Sequence, residues 1–456
     1  SAASDVYKRQ EVYFMNGFNQ FIENRLMPVA AKMSSNKALV AIRDGITLSM
    51  PLLIIGSIFM IIASFPFPGW ESWLGEIGVA GYLWKGVDGS FSLLGLVSAF
   101  GIAYSYSKQE KVDGVASGLI SLASFITVTP YVNSSIVALA NPDVTLPKGF
   151  AVPSGIMASY MSAKGVFVAI LLGLISAIVY DWFINHNIQI TLPDSVPPAV
   201  ARSFSAIIPG AIIITFWLML YGILDANNLP NLHELAQTIL GKPLGLLGSN
   251  VIGVSILAGL NSLFWFVGIH GGNTVNAIMK PTWIDNLSSN VSAYQAGEPL
   301  KEIFTTPFMD NFVYIGGGGA TIGLVLCIAW YAKRKNGSKQ SKVLAPLTVI
   351  PGFFNINEPT MFGLPVVMNV SLLIPFILAP MVNTIVAWLA MSSGLVPLTR
   401  AEASWTMPPI LSGFLTTGSV MGSLLQIVLI IIDIALYLPF FVAMEKEFKK
   451  QEKSEE

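Results

Sequence analysis

Along this chain, long uncharged apolar runs alternate with short polar segments rich in Gly, Pro and Asn. The runs Gly45 to Trp70, Gly89 to Ser107, Gly114 to Pro142, Ser203 to Leu224, Asn311 to Ala332 and Pro359 to Thr399 approach or exceed the roughly 20 residues that carry a helix across a bilayer. Helices are the expected element, because lipid offers backbone groups no water partner. The pattern accommodates ten spans, near 42–65, 90–107, 113–130, 165–184, 204–225, 249–267, 271–284, 313–332, 366–391 and 420–444, the seventh being short. Leu229 to Leu247 has mixed polarity at helical spacing, which predicts an interfacial amphipathic helix joining two halves.

The expected organisation is a leading segment 1–10 that reads as a cloning or assembly scar and a five-span scaffold over 11–226. A linker helix follows over 227–248, then a second set of five spans over 249–445, and a tail over 446–456. The opening residues have neither the apolar core nor the small-residue cleavage site of a signal peptide. The halves differ in texture. The first holds uninterrupted spans, whereas the second is broken by Gly, Pro and Asn inside apolar sequence. Non-helical backbone at membrane depth survives where it is buried in protein or lines a cavity, so the site is expected in the second half.

Composition sharpens this to a polytopic membrane protein. The 456 residues are 53% hydrophobic and 11% charged, with mean hydropathy +0.65, against roughly 25% charged in soluble domains. Cys327 stands alone inside an apolar run, and the three histidines are scattered. That excludes a disulfide framework and a thiolate metal cluster. No cofactor or metal is expected, and no basic and aromatic stripe suggests nucleic acid. Most Lys and Arg gather between Lys8 and Arg43, at Lys108, Lys111 and Arg202, at Lys333 to Lys342, and in the tail. An even number of spans with both termini cytoplasmic puts all of these inside. The run Lys333 to Lys342 is a plain positive-inside loop, or one that attracts anionic headgroups or a soluble partner.

The candidate chemistry begins at Gly352 to Pro365, GFFNINEPTMFGLP, where one carboxylate, Glu358, stands between two apolar segments. An intramembrane acid is a functional candidate by default. Glu358 can accept two hydroxyl hydrogen bonds or activate one hydroxyl, with Asn355, Asn357 and Thr360 as a polar shell and Phe353, Phe354 and Phe362 as nearby aromatic faces. Carbohydrate recognition needs that combination. In Gly268 to Asn273, GIHGGN, glycines free the backbone around His270, which can donate and accept, and Asn273 can bond a hydroxyl; glycines that serve only close helix packing are the plainer account. Thr305 to Tyr314 carries Asp310 and Asn311 on either a re-entrant hairpin or an ordinary loop start. Trp405 stacks on a sugar ring or anchors an interfacial loop. Asp433 relays protons or, better supported, pairs with another helix. Gly316 to Gly319 lacks the Gly-Lys-Ser/Thr ending of a phosphate loop and suits close packing.

At GIHGGN and NINEPTMFGLP the chain resembles the membrane component, IIC, of the phosphoenolpyruvate-dependent sugar phosphotransferase system, in its lactose, cellobiose and diacetylchitobiose group. The likeness extends to SVPPAVARSFSAIIPG (Ser195 to Gly210) and the FPFPG turn at Phe65 to Gly69. It implies an all-α homodimer of ten-helix subunits in a bacterial cell membrane, with the first five spans at the dimer interface. The later spans and two re-entrant hairpins would enclose the sugar. It implies that Glu358 matches the family's essential glutamate on the sugar's 6-hydroxyl and His270 its binding-site histidine, with Asn273, Asn357, Asp310, Asn311 and Trp405 completing the expected site. It further implies a rigid-body shift of the substrate domain and phosphorylation by a phosphocysteine on a separate IIB protein, itself served by IIA. Cellobiose or diacetylchitobiose is the expected sugar, with lactose the other member of the group. The competing reading is a proton-coupled sugar symporter using Glu358 or Asp433. An intramembrane hydrolase lacks a nucleophile and base pair.

Overall fold

The computed structural model describes residues 28, 31–32, 35–65, 67–132, 155–156, 158–193, 195–364, 366–367 and 369–455. The leading segment 1–10, the basic arm as far as 27, Pro66 of the FPFPG turn and Pro365 lie outside the described residues. Among the described residues the regular structure is helical, apart from a two-residue antiparallel pairing of Tyr131–Val132 with Gly155–Ile156.

Among the described residues six helices are long and apolar enough to cross a membrane: Lys37–Ala63, Ala80–Gln109, Ala163–Asn185, Pro198–Ala226, Ser371–Ser392 and Val420–Ser454. A seventh arises if Leu232–Gly248 and Val251–Phe266, bent by 83° at their junction, form one broken span. This corrects the expectation of ten spans with two re-entrant hairpins. The third expected span is the 15-residue helix Gly114–Val128, and the eighth shrinks to the 11-residue helix Ile322–Ala332, which at 1.5 Å per residue is about 16 Å long. Nothing among the described residues supports the homodimer that the resemblance implies.

The seventh expected span differs most instructively. The structure has a 21-residue helix, Val275–Gln295, whose polar residues satisfy other chain segments. Asn290 Nδ2 donates to the carbonyls of Glu302 (2.7 Å) and Thr399 (2.9 Å), and its Oδ1 accepts from Glu302 N (3.0 Å). Asn286 Nδ2 donates to Phe304 O at 2.6 Å. Amides that give a non-helical strand its hydrogen bonds make it tolerable inside a protein, and they dilute the hydropathy by which a span is recognised. The same helix feeds two apolar cores. Met279 and Trp283 pack with Phe308, Phe312 and Leu429, while Ile284, Leu287 and Val291 pack with Ile46, Leu53, Ile102 and Val166. Two stripes at i, i+3 and i+4 spacing thus join the chain's early helices to its late ones.

Close helix approach depends on glycine. A Cβ on Gly45 would lie 2.3 Å from Ile102 N, and one on Gly101 would lie 2.6 Å from Gly45 O, so the helices of Gly45 and Gly101 meet backbone to backbone, the small-residue packing typical of membrane helices. Gly323 sits equally tightly on Asp433, with 2.4 Å from a Cβ to that residue's backbone carbonyl carbon. Asp433 itself accepts from Asn383 Nδ2 at 3.2 Å, a partner on another helix.

Replacing Gly101 by Leu is expected to destabilise the fold by about 1–3 kcal/mol through overpacking. Thermal unfolding of the detergent-solubilised protein checks this, with Gly89→Ala as the neutral control because a Cβ there meets nothing within 4 Å.

Candidate functional site

The helix Val251–Phe266 ends one residue before Val267, and the chain then turns through Gly268 at φ +81. His270 opens a single turn, Gly271–Asn273, and its Nδ1 accepts the Asn273 N–H at 3.2 Å. With Nδ1 an acceptor, the neutral ring carries its proton on Nε2. The imidazole leans on the Trp265 ring, with centroids 4.2 Å apart. Burial lowers its pKa and so favours the neutral ring, and the nearby Glu358 charge opposes this. Gly271 is required sterically, as a Cβ would fall 1.9 Å from Asn261 Oδ1.

The second element comes from the helix Lys339–Phe353, which carries Pro346 and Pro351 and stops before Asn355. Asn355 takes a left-handed φ of 58, which Asn tolerates better than other side-chain-bearing residues. Its Oδ1 accepts from Gly316 N at 2.6 Å, and its Nδ2 donates to Trp405 O at 2.5 Å. Asn357 Nδ2 donates to Gly318 O at 2.9 Å. The glycine run Gly316 to Gly319 is therefore a turn tied to two asparagines. Gly317 holds φ +99 with Asn357 2.7 Å from any Cβ, and at Gly318 a Cβ would reach within 2.4 Å of Trp265 Nε1. Glu358 is the first residue of the helix Glu358–Gly363, where the helix dipole favours a carboxylate. Among the described residues nothing hydrogen-bonds its side chain, which is open to solvent.

These elements enclose a cavity of about 480 Å³, within the roughly 300–1,000 Å³ of small-molecule sites. His270, Glu358, Asn273, Asn357, Asp310 and Trp405 all line it, so six of the seven expected site residues converge. Asn311 does not. It is 1% exposed, and its carbonyl accepts from Gln426 Nε2 at 2.7 Å. Adjacent residues of a helical turn face different ways, and Met309–Val313 is such a turn; Asp310 takes the cavity side.

The expected shell is also revised. Thr360 is fully buried, and Phe353, Phe354 and Phe362 are exposed away from the cavity. Its aromatic walls are Trp265, Trp283, Tyr314 and Trp405. Residues that sequence reasoning missed include Lys280 and Asn276 on the polar helix, and Arg43 and Asp44 from the first spanning helix. Arg43 Nε lies 2.7 Å from Asp44 Oδ1. Lys280 was findable by the logic that singled out Glu358, as a charge in the middle of a largely apolar stretch. Arg43 and Asp44 resemble the ordinary polar flank of a span.

Beside the cavity, outside the spanning helices, Glu402 is 2% exposed and accepts a hydrogen bond from Thr306 Oγ1. Burial pushes its pKa up to about 8, with the Asp310 charge adding to the rise and the Thr306 bond and Lys280 opposing it.

Fold and cavity together define a polytopic membrane transporter with a polar, aromatic-walled binding chamber reached by broken helices. The model of the phosphotransferase system EIIC family matches residues 43–380. The chain is 41% identical over 446 residues to the lichenan permease IIC component of Bacillus subtilis (strain 168), covering 96% of each. It is 40% identical over 449 residues to the cellobiose-specific EIIC component of Geobacillus stearothermophilus, covering 97% of each. The crystal structure of the transporter ChbC, the IIC component of the N,N'-diacetylchitobiose-specific phosphotransferase system, superposes with a TM-score of 0.87 at 38% identity, covering 95% of this chain and 99% of that one. The chain belongs to the phosphotransferase system EIIC family. It is a sugar permease of the bacterial inner membrane.

A carboxyl whose folded pKa is raised stabilises the fold fully below its unfolded pKa and loses that contribution as pH climbs towards about 8. Glu402→Gln, always neutral, is therefore expected to match the unmodified protein near pH 5 and to exceed it in thermal midpoint at pH 9. Parallel melts at the two pH values check this.

Proposed function

We propose that this permease imports a β-linked disaccharide, cellobiose or diacetylchitobiose in the first instance, with lactose the alternative in the same group. In this reading Glu358 holds the sugar's 6-hydroxyl and His270 bonds a neighbouring hydroxyl. Asn273, Asn357 and Asp310 supply further polar contacts, and Trp405 stacks on a ring face. The observation that carries it is that an acid with no hydrogen-bond partner among the described residues, an imidazole and an exposed indole line one chamber. The names of the relatives, which concern lichenan, cellobiose and diacetylchitobiose, support the sugar class.

Phosphorylation by a IIB protein carrying a phosphocysteine, recharged by IIA, completes the cycle. Phosphoryl transfer depends on positioning and on stabilising charge on the phosphoryl oxygens. Glu358 either orients the 6-hydroxyl or takes its proton as the oxygen–phosphorus bond forms and the sulfur–phosphorus bond of the IIB phosphocysteine breaks, the cysteine leaving as thiolate. The segment 249–445 moves as a body against a scaffold formed by 11–226, linked through 227–248, and both termini are cytoplasmic. Two contacts between these segments support a discrete docked state. Gln295 Nε2 donates to Asp88 Oδ1 at 3.0 Å, and Tyr294 OH donates to Glu71 Oε1 at 2.9 Å.

Binding of radiolabelled cellobiose, diacetylchitobiose and lactose to purified protein tests the site, with Glu358→Ala and His270→Ala as controls. Saturable binding of one sugar that both substitutions abolish is expected. Binding indifferent to both would contradict the assignment, and delivery of unmodified sugar driven by a proton gradient would favour a symporter. Glu358→Gln keeps an acceptor and loses the base. Its phosphorylation rate is expected to fall by about 10²-fold or more with a much smaller loss of binding, and equal losses would argue against proton transfer to Glu358. Joining Asp88→Cys to Gln295→Cys by a short crosslinker, in a Cys327→Ser background, is expected to stop transport in vesicles while leaving sugar binding. Unimpaired transport would contradict the moving-body reading.

A further inference from the structure

We infer that Asn355 is a positioning residue for the sugar site, clamping the segment that carries Trp405 to the one that carries Glu358. The sugar-facing part rests on the reading of Trp405 given above; the clamp itself rests on geometry. Although Asn355 stands three residues before Glu358 and borders the cavity, its amide is committed to backbone. Oδ1 takes the Gly316 N–H, and Nδ2 reaches Trp405 O at 2.5 Å and Met407 O at 3.5 Å. It is 6% exposed. Asn357, by contrast, spends only its Nδ2 on the protein among the described residues, which leaves its side-chain oxygen for a ligand.

What makes Asn355 decisive is the isolation of the loop it holds. Residues 403–407 bond among themselves, through Ser404 Oγ to Thr406 Oγ1 (2.8 Å) and Met407 N to Ser404 O (2.8 Å). On the flanks Glu402 N donates to Ser57 Oγ and Ile410 N to Gln426 Oε1. Between those anchors, among the described residues, the Asn355 amide makes the only hydrogen bonds from 403–407 to another part of the chain. Trp405, half-exposed to the cavity, has no ring contact with another aromatic side chain among the described residues that would fix it independently. Its place in the cavity wall is therefore tied by hydrogen bonds through one side chain. That side chain has to combine an acceptor, two donors and tolerance of φ 58, and Asn meets all three conditions.

Two substitutions separate the parts. Asn355→Asp keeps the acceptor for Gly316 and loses both donors, and Asn355→Gly keeps the left-handed backbone and loses the amide. In sugar-free protein that remains monodisperse on size exclusion, both are expected to speed amide hydrogen exchange in peptides spanning 403–409 several-fold, without change in the Val251–Phe266 helix. Radiolabelled cellobiose is expected to bind Asn355→Asp about tenfold more weakly. In a Trp405→Ala background the same substitution is expected to add little, because residues acting through one another are non-additive. Unchanged exchange overturns the clamp. Faster exchange with full binding, or losses that multiply in the double variant, overturns its action through Trp405. Weak binding by Trp405→Ala alongside normal binding by Asn355→Asp overturns the inference and leaves the Trp405 contact standing. If the unmodified protein fails to bind cellobiose, the substrate reading fails while the exchange result still decides the clamp.

Discussion

The constraint on which this structure depends is that backbone interrupted inside a membrane protein has to find its hydrogen bonds within the protein. Several breaks in the apolar sequence meet that demand with a side-chain amide, and the turn Gly271–Asn273 meets it with the His270 imidazole. Asn355 and Asn357 hold the glycine turn, Asn290 and Asn286 hold the stretch entering Thr305, and Gln426 takes the N–H groups of Ile410 and Gly413 while donating to Asn311 O. An unmet group would cost a substantial part of a hydrogen bond in a medium without water. The interruptions are thereby made rigid, and they leave the concave space that becomes the chamber. Binding geometry and backbone satisfaction are two results of one arrangement.

The chamber is built mainly by the later segments, yet Arg43, Asp44, Thr47 and Met50 close one side of it. The helix Val275–Gln295 belongs to the apolar cores of both regions. A sugar in the chamber would touch late elements on most sides and an early helix on one. Movement of the late elements as a body would then change access without dismantling the polar contacts, which suits the proposed transport cycle. At the far end of the same helix the hydrogen bonds to Glu71 and Asp88 can be exchanged for water at modest net cost, whereas the apolar contacts of Ile284, Leu287 and Val291 with the early helices would have to be replaced by others.

Six spans were legible because their apolar runs keep spanning length, even with Pro375 and Pro380 inside one and Asp433 inside another. The surplus in the expected count came from treating every run as a crossing. Ile322–Ala332 is preceded by a glycine turn that takes up part of the expected length, and Val275–Gln295 turns amides inward where hydropathy registers only polarity. Glu358 and His270 stood out because a lone charge and a glycine-flanked imidazole are costly or unusual in apolar sequence. Asn311 looked equivalent to Asp310, and only the helical turn of Met309–Val313 separates their directions. The aromatic walls were misassigned to Phe353, Phe354 and Phe362 because proximity in sequence stood in for proximity in space, whereas Trp265 and Trp405 arrive from 93 positions before and 47 after Glu358 in the chain. The role of Asn355 was invisible for the same reason, its partners being Gly316 and Trp405.

The most direct test of the central claim is a structure of the protein in lipid with cellobiose or diacetylchitobiose bound. The account predicts the disaccharide inside the chamber, a 6-hydroxyl within hydrogen-bond reach of Glu358, His270 Nε2 on a neighbouring oxygen, and a pyranose face against Trp405. Sugar bound elsewhere, or in the chamber with Glu358 facing no hydroxyl, would contradict it.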